Sequence, residues 1–100
     1  MIDMTSVVGF EWDGGNHRKN LDRNGVEQLE AEQIFLDPGL LVLRDDKHSG
    51  AETRMHAYGQ TPGGRLLLVA FTPRKDGTVI RVISARDMSR RERHRYAQEA

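Results

Sequence analysis

The chain has 100 residues, 37% hydrophobic and 30% charged, a balance that fits one domain with one core and excludes disorder or a coiled coil. Its longest apolar run, Leu66 to Phe71, falls far short of a bilayer span, and the absence of cysteine removes disulfides, thiolate catalysis and cysteine-bound metals. The net charge of zero hides a split: residues 1–52 carry eleven acidic and five basic side chains, residues 53–100 four acidic and ten basic.

Residues 1–10 hold no basic patch and no long apolar block, so no signal peptide is expected and the protein is read as cytoplasmic. Val7 to Trp12 reads as a first strand. Asp13 can cap a helix over about Gly15 to Asn24, because its carboxylate can accept the free amide hydrogens of a first turn. Asn24-Gly25 is a fitting stop, since both residues tolerate the left-handed conformation. Val26, Leu29, Ala31, Ile34 and Phe35 approximate helical spacing and predict a second helix, with Glu27, Glu30 and Glu32 toward water. Asp37-Pro38-Gly39 ends it.

After that turn the period changes. Leu40 to Arg44 reads as an apolar strand and Asp45 to Ala51 as a polar loop. Thr53 to Gln60 alternates, with Arg54, His56 and Tyr58 on one face and Met55, Ala57 and Gly59 on the other. A turn at Thr61 to Gly64 leads into Arg65 to Thr72, which is apolar on both faces and therefore central. Pro73 to Gly77 turns again before a last strand, Thr78 to Arg86. The short connections predict a four-stranded antiparallel meander. Ser89-Arg90-Arg91-Glu92 is a capping box opening a closing helix over about residues 89–99, whose apolar residues are chiefly Tyr96 and Ala97. The order β-α-α-β-β-β-β-α is an α+β fold in a single domain over residues 1–100.

Metal chemistry finds little support. His17, His48, His56 and His94 lie far apart in sequence. Asp45, Asp46 and His48 form the only tight oxygen and nitrogen cluster, and such loop carboxylates are usually solvated, so no metal or other cofactor is expected. No phosphate-binding glycine loop, dinucleotide fingerprint or nucleophile elbow is present.

The basic residues are more informative. Arg54 and His56 share a strand face, Arg81 and Arg86 lie on the last strand, and Arg90, Arg91, Arg93, His94 and Arg95 crowd the closing helix. Cleaving RNA without a metal needs a base for the 2′-hydroxyl proton, an acid for the leaving oxygen, and cations for the charge growing on phosphate. Arginine suits the cationic role because its planar fork pairs two phosphate oxygens. His48, His56 and Glu52, all close in sequence to Arg54, are candidate proton carriers. Arg81, Arg91, Arg95 and His56 are candidates for holding RNA. Arg81 and Arg86 differ by five, which puts them on opposite faces unless a bulge intervenes. The plain alternatives are a solvated sheet face, a cap in Glu92 and a packing anchor in Tyr96.

Phe10-Glu11-Trp12-Asp13, then Asn20, Gly25-Val26, Asp37-Pro38, His48, Glu52-Thr53-Arg54, Gly59, and the run Arg81 to Arg86 followed by Glu92 and Tyr96 closely resemble the BrnT family of toxins. The resemblance runs from about Phe10 to Tyr96. It implies the toxin of a type II toxin–antitoxin system with a RelE-like fold, an endoribonuclease that needs no metal and arrests growth. It also implies neutralisation by a BrnA-type antitoxin with a ribbon-helix-helix part, through which alone operator DNA would be bound. Carried onto this sequence, the resemblance gives Arg54 and Arg86 as phosphate binders, Glu52 and His48 as proton carriers, and Tyr96 near the substrate. Two departures stand out: the family often has Lys where this chain has Asn16, and Lys-His-Gly where it has Arg23-Asn24-Gly25. A regulator that binds nucleic acid without cleaving it, or a protein-interaction module, are the competing functions.

Overall fold

The structure, a computed structural model, describes residues 4–12, 21 and 23–99. The strand β4 (Leu66–Arg74) is buried along most of its length, as its unbroken apolar run requires. Around it stand β1 (Gly9–Trp12), β2 (Leu41–Arg44), β3 (Met55–Gln60) and β5 (Val79–Asp87), in the order β1-β5-β4-β3-β2. Strands β2 to β5 form the antiparallel meander expected from their short connections. β1 instead runs parallel to β5, with Gly9 opposite Val79 and Trp12 opposite Val82, so the five-stranded sheet is mixed.

β4 runs two residues further than the sequence implied, through Pro73 to Arg74. β3 ends opposite Phe71, so Pro73 has a neighbouring strand on one side only, where a residue without an N–H is tolerated. The hairpin that follows holds Lys75 and Asp76 at positive φ, and the Gly77 amide donates to the Arg74 carbonyl. Gly77 follows at φ +84°, so three left-handed residues in succession shape a four-residue connection between Arg74 and its partner Val79.

The first expected helix falls mostly on residues outside the described ones, as does its cap Asp13. Leu21, Arg23 and Asn24 are helical, and Gly25 closes that turn at φ +66°, its amide donating to Leu21. The second helix is shorter than its apolar spacing predicts. Only α1 (Gln28–Gln33) is α-helical, and Ile34–Leu36 tightens to a 3-10 turn. Its glutamates are not all idle: Glu32 accepts from the Trp12 indole at 2.7 Å, and Glu30 pairs with Arg65 at 3.1 Å. The closing helix α2 (Arg90–Glu99) follows β5 directly.

The sheet separates two apolar layers of unequal size. On one face Leu67, Val69 and Phe71 meet Ile80, Val82, Ala85, Ala31 of α1 and Ile34 of the 3-10 turn. On the other, Tyr58, Leu68 and Met88 form a smaller cluster that Tyr96 of α2 covers in part. Gly59 lets the Ile34–Leu36 turn approach β3 closely, since a Cβ there would lie 2.8 Å from that of Ile34. Asp37, next in the chain, then accepts from the Gln60 amide at 2.8 Å. Among the described residues no helix is long and apolar enough to cross a membrane.

Candidate active site

The second face of the sheet carries the candidate residues. In antiparallel register Tyr58 stands opposite Leu68 and Leu68 opposite Arg86, while His56 stands opposite Ala70 and Ala70 opposite Ser84. Alternation along β3 therefore delivers His56 and Tyr58 to one side, as their spacing predicts. Arg81 joins them through a bulge. Val82 pairs with Phe71 and Ser84 with Ala70, so Ile83 is an extra residue in β5. Both Val82 and Ala85 consequently reach the main core, and Arg81 shares a face with Arg86 although five residues separate them.

One carboxylate organises the β3 end of this face. Asp45 follows β2 directly and is only 9% exposed. It opens the short 3-10 turn Asp46–His48, its Oδ1 accepting from the His48 amide at 3.3 Å. Its Oδ2 lies 2.9 Å from His48 Nδ1, 3.1 Å from His56 Nε2 and 3.6 Å from Arg54 Nε. The sequence reading of Asp45 as a solvated loop carboxylate is thus overturned. Ser49 braces the loop by donating to the Asp45 carbonyl at 2.8 Å and accepting from the Arg54 amide at 3.0 Å.

Burial alone would raise the Asp45 pKa, but the His48 hydrogen bond and the charge of His56 hold it below the usual carboxylate value. His56 is likewise lowered, from its ordinary 6.5. Burial pushes it down, Asp45 pulls it up, and Arg54 and Arg86 push it down further. Burial and the two arginines thus favour the neutral form of the imidazole, against the pull of Asp45. The Arg54 guanidinium is partly exposed, and its buried Nε has no hydrogen-bond partner among the described residues.

At the β5 end Arg86 makes two parallel bonds to Glu92, Nη1 to Oε1 and Nη2 to Oε2, each 2.8 Å. The same Glu92 caps α2, accepting from the Ser89 amide while the Ser89 hydroxyl accepts from Glu92 N. The guanidinium beside it holds the Glu92 carboxyl down at about 2. Glu92 is thus both cap and counter-ion. The sequence showed only the first role, because Arg86 lies outside the helix.

The remaining candidates are dispersed. Glu52 is held by Arg74 at 2.9 Å, so the structure gives it to the β4 end rather than to Asp45 and the histidines. The Tyr96 hydroxyl donates to Asp37, which also accepts from the Gly39 and Gln60 amides. Burial and this bond raise the phenol to about 12. Tyr96 in this arrangement ties α2 to the turn after the 3-10 segment. Arg91 and Arg95 are exposed on α2 one helical turn apart, and burial raises the Tyr58 phenol despite the opposing charge of nearby Arg95. Sequence reasoning put Tyr58 on this face without a role and set Asp45 aside as solvated. The spacing of Asp45 and His48, a short-turn cap, was the available signal for the second.

The family model described as the ribonuclease toxin BrnT of type II toxin–antitoxin systems matches residues 12–92. A search of curated proteins gave no match. Among solved structures, the fold is similar to the 1.1 Å crystal structure of the Brucella abortus ribonuclease toxin BrnT. The TM-score is 0.64 at 22% identity, over 84% of this chain and 100% of that one. The family match runs from Trp12, the last residue of β1, through Glu92, and so takes in Asp45, Arg54, His56 and Arg86. The chain belongs to the BrnT family of ribonuclease toxins of type II toxin–antitoxin systems.

Proposed function

We propose that this chain cleaves RNA without a metal ion and so arrests growth as the toxin of its system. The observation that carries this reading is the clustering of His56, Arg54 and Arg86 on one sheet face, with His48 joined through Asp45. A neutral imidazole takes the 2′-hydroxyl proton, and the freed oxygen attacks the adjacent phosphorus. A second imidazole, protonated, donates to the departing 5′ oxygen, leaving a 2′,3′-cyclic phosphate and a free 5′-hydroxyl. Arg54 and Arg86 pair the phosphate oxygens as their charge grows. Arg81, Arg91 and Arg95 hold flanking phosphates.

Glu52 and Tyr96 act at one remove, Glu52 through Arg74 and Tyr96 by seating α2. Arg86 must exchange Glu92 for phosphate, so substrate entry loosens the start of α2. The RelE-like relationship, the cytoplasmic site of action and a BrnA-type ribbon-helix-helix antitoxin belong to the same reading. Operator DNA is bound through that antitoxin alone. Inducing the chain alone, and then with its operon neighbour, tests the proposal. Growth should stop in the first case and resume in the second, and unimpeded growth with the chain alone at high expression refutes it.

A further inference from the structure

The geometry points to Asp45 as a positioning residue that imposes opposite tautomers on the two histidines, His48 protonated at Nδ1 and His56 protonated at Nε2. This rests on the ribonuclease reading only for its consequence, not for its structural content. His48 Nδ1 and His56 Nε2 both contact the same oxygen, Oδ2, at 2.9 and 3.1 Å. A bare ring nitrogen at that distance would set its lone pair against a carboxylate oxygen, so each facing nitrogen must carry its hydrogen. Asp45 stays ionised beside them because those same hydrogens stabilise it. The nitrogen left as acceptor is then Nε2 on His48 and Nδ1 on His56.

The two rings differ in what faces them. His56 is faced by Asp45, Arg54, Arg86 and Glu92, and its ring stands edge-on to Tyr58 at 6.4 Å. Two arginines and burial favour its neutral form, which makes its free Nδ1 the base for the 2′-hydroxyl. The His48 side chain is 55% exposed and, among the described residues, its ring contact is with Asp45. It can take a proton at Nε2 and hold the resulting imidazolium against Asp45, which makes it the acid for the leaving oxygen. A third contact, from Arg54 Nε at 3.6 Å, keeps the carboxylate turned toward both rings.

Two measurements test this. In wild-type protein near pH 7.5, nitrogen-15 spectra of the imidazoles should show the Nδ1–H form of His48 and the Nε2–H form of His56. Both rings in the reverse form, or both averaging between forms, overturn the inference whether or not the protein cleaves RNA. For activity, Asp45→Asn should lower kcat on the order of 10²-fold, within the range of general acid–base contributions, with little change in KM. The limb of its pH profile set by His56 should also move to lower pH, because Asp45, 3.1 Å away, no longer supports the protonated ring. Asp45→Asn protein that remains folded by circular dichroism and keeps the wild-type profile contradicts the role. Should the Asn variant misfold, the wild-type spectra decide alone. Wild-type protein that shows the expected tautomers but cleaves no RNA sinks the ribonuclease reading and leaves Asp45's structural role standing.

Discussion

Arg86 and Glu92 lie six residues apart and are joined by two parallel hydrogen bonds of 2.8 Å across the junction of β5 and α2. One side chain ends the strand bearing the proposed phosphate site, and the other caps the helix beside it. The pair therefore links occupancy of the site to the seating of α2. Bidentate pairs of this kind are geometrically specific, and partial burial of Glu92 makes this one stronger than an exposed pair.

Arg86→Ala should abolish cleavage while circular dichroism stays native, because the side chain is half exposed and lies outside the main core. It should also alter acid stability in a defined window. A carboxylate lowered from 4.5 to about 2 stabilises the fold above pH 4.5, and that contribution fades as pH falls toward 2. Without Arg86 the difference between unfolding midpoints at pH 5 and pH 3 should shrink. An unchanged difference would show that Arg86 does not hold Glu92 in solution.

Glu92→Gln keeps a capping group but weakens the grip on Arg86. It should lower KM for RNA severalfold and cost up to about 1 kcal/mol of stability as the cap weakens. A raised KM would mean that Glu92 helps to hold substrate rather than competing with it.

Tyr96→Phe removes only the hydroxyl that Asp37 accepts. Loss of a hydrogen bond to a charged acceptor is worth roughly 1.5–3 kcal/mol when buried, and this site is half-buried, so about 1 kcal/mol is expected. Amide exchange in α2 should accelerate while the sheet stays protected. Cleavage per folded molecule should persist. Its complete loss with native stability would return Tyr96 to the substrate, where the family resemblance placed it.

The two sides of β4 should respond unequally to a buried charge. Val69 stands between Ala57 and Ala85 with no cation opposite, so Val69→Asp should prevent folding. Leu68 stands directly opposite Arg86, so Leu68→Asp has a counter-ion across the strand pair. It should fold with a lower melting temperature and lose cleavage as Arg86 is diverted. Equal loss of solubility in both variants would contradict this.

Much of this arrangement was legible in the residues themselves. Alternation placed Arg54, His56 and Tyr58 on one face, and continuous apolarity placed β4 at the centre, because both follow from the two-residue period of a strand. Arg81 and Arg86 were not resolvable in that way. Their common face depends on the bulge at Ile83, and nothing in Val82-Ile83-Ser84 marks an extra residue. Asp45 looked solvated because its partners come from elsewhere: His48 from the next turn, Arg54 from just before β3 and His56 from within it. Burial of a carboxylate by separate elements is a tertiary event. The parallel pairing of β1 with β5 was equally invisible, since Val7 to Trp12 carries no mark of its neighbour. Glu92 was read as half of what it does, because a capping box explains it without any reference to Arg86.

The most direct test of the account is to incubate the purified chain with single-stranded RNA in excess EDTA and identify the new ends. Metal-independent cleavage with 2′,3′-cyclic phosphate termini, lost in Arg54→Ala and in His56→Ala, is the predicted result. Intact RNA at high enzyme concentration, or cleavage that EDTA abolishes and added divalent ions restore, would contradict it.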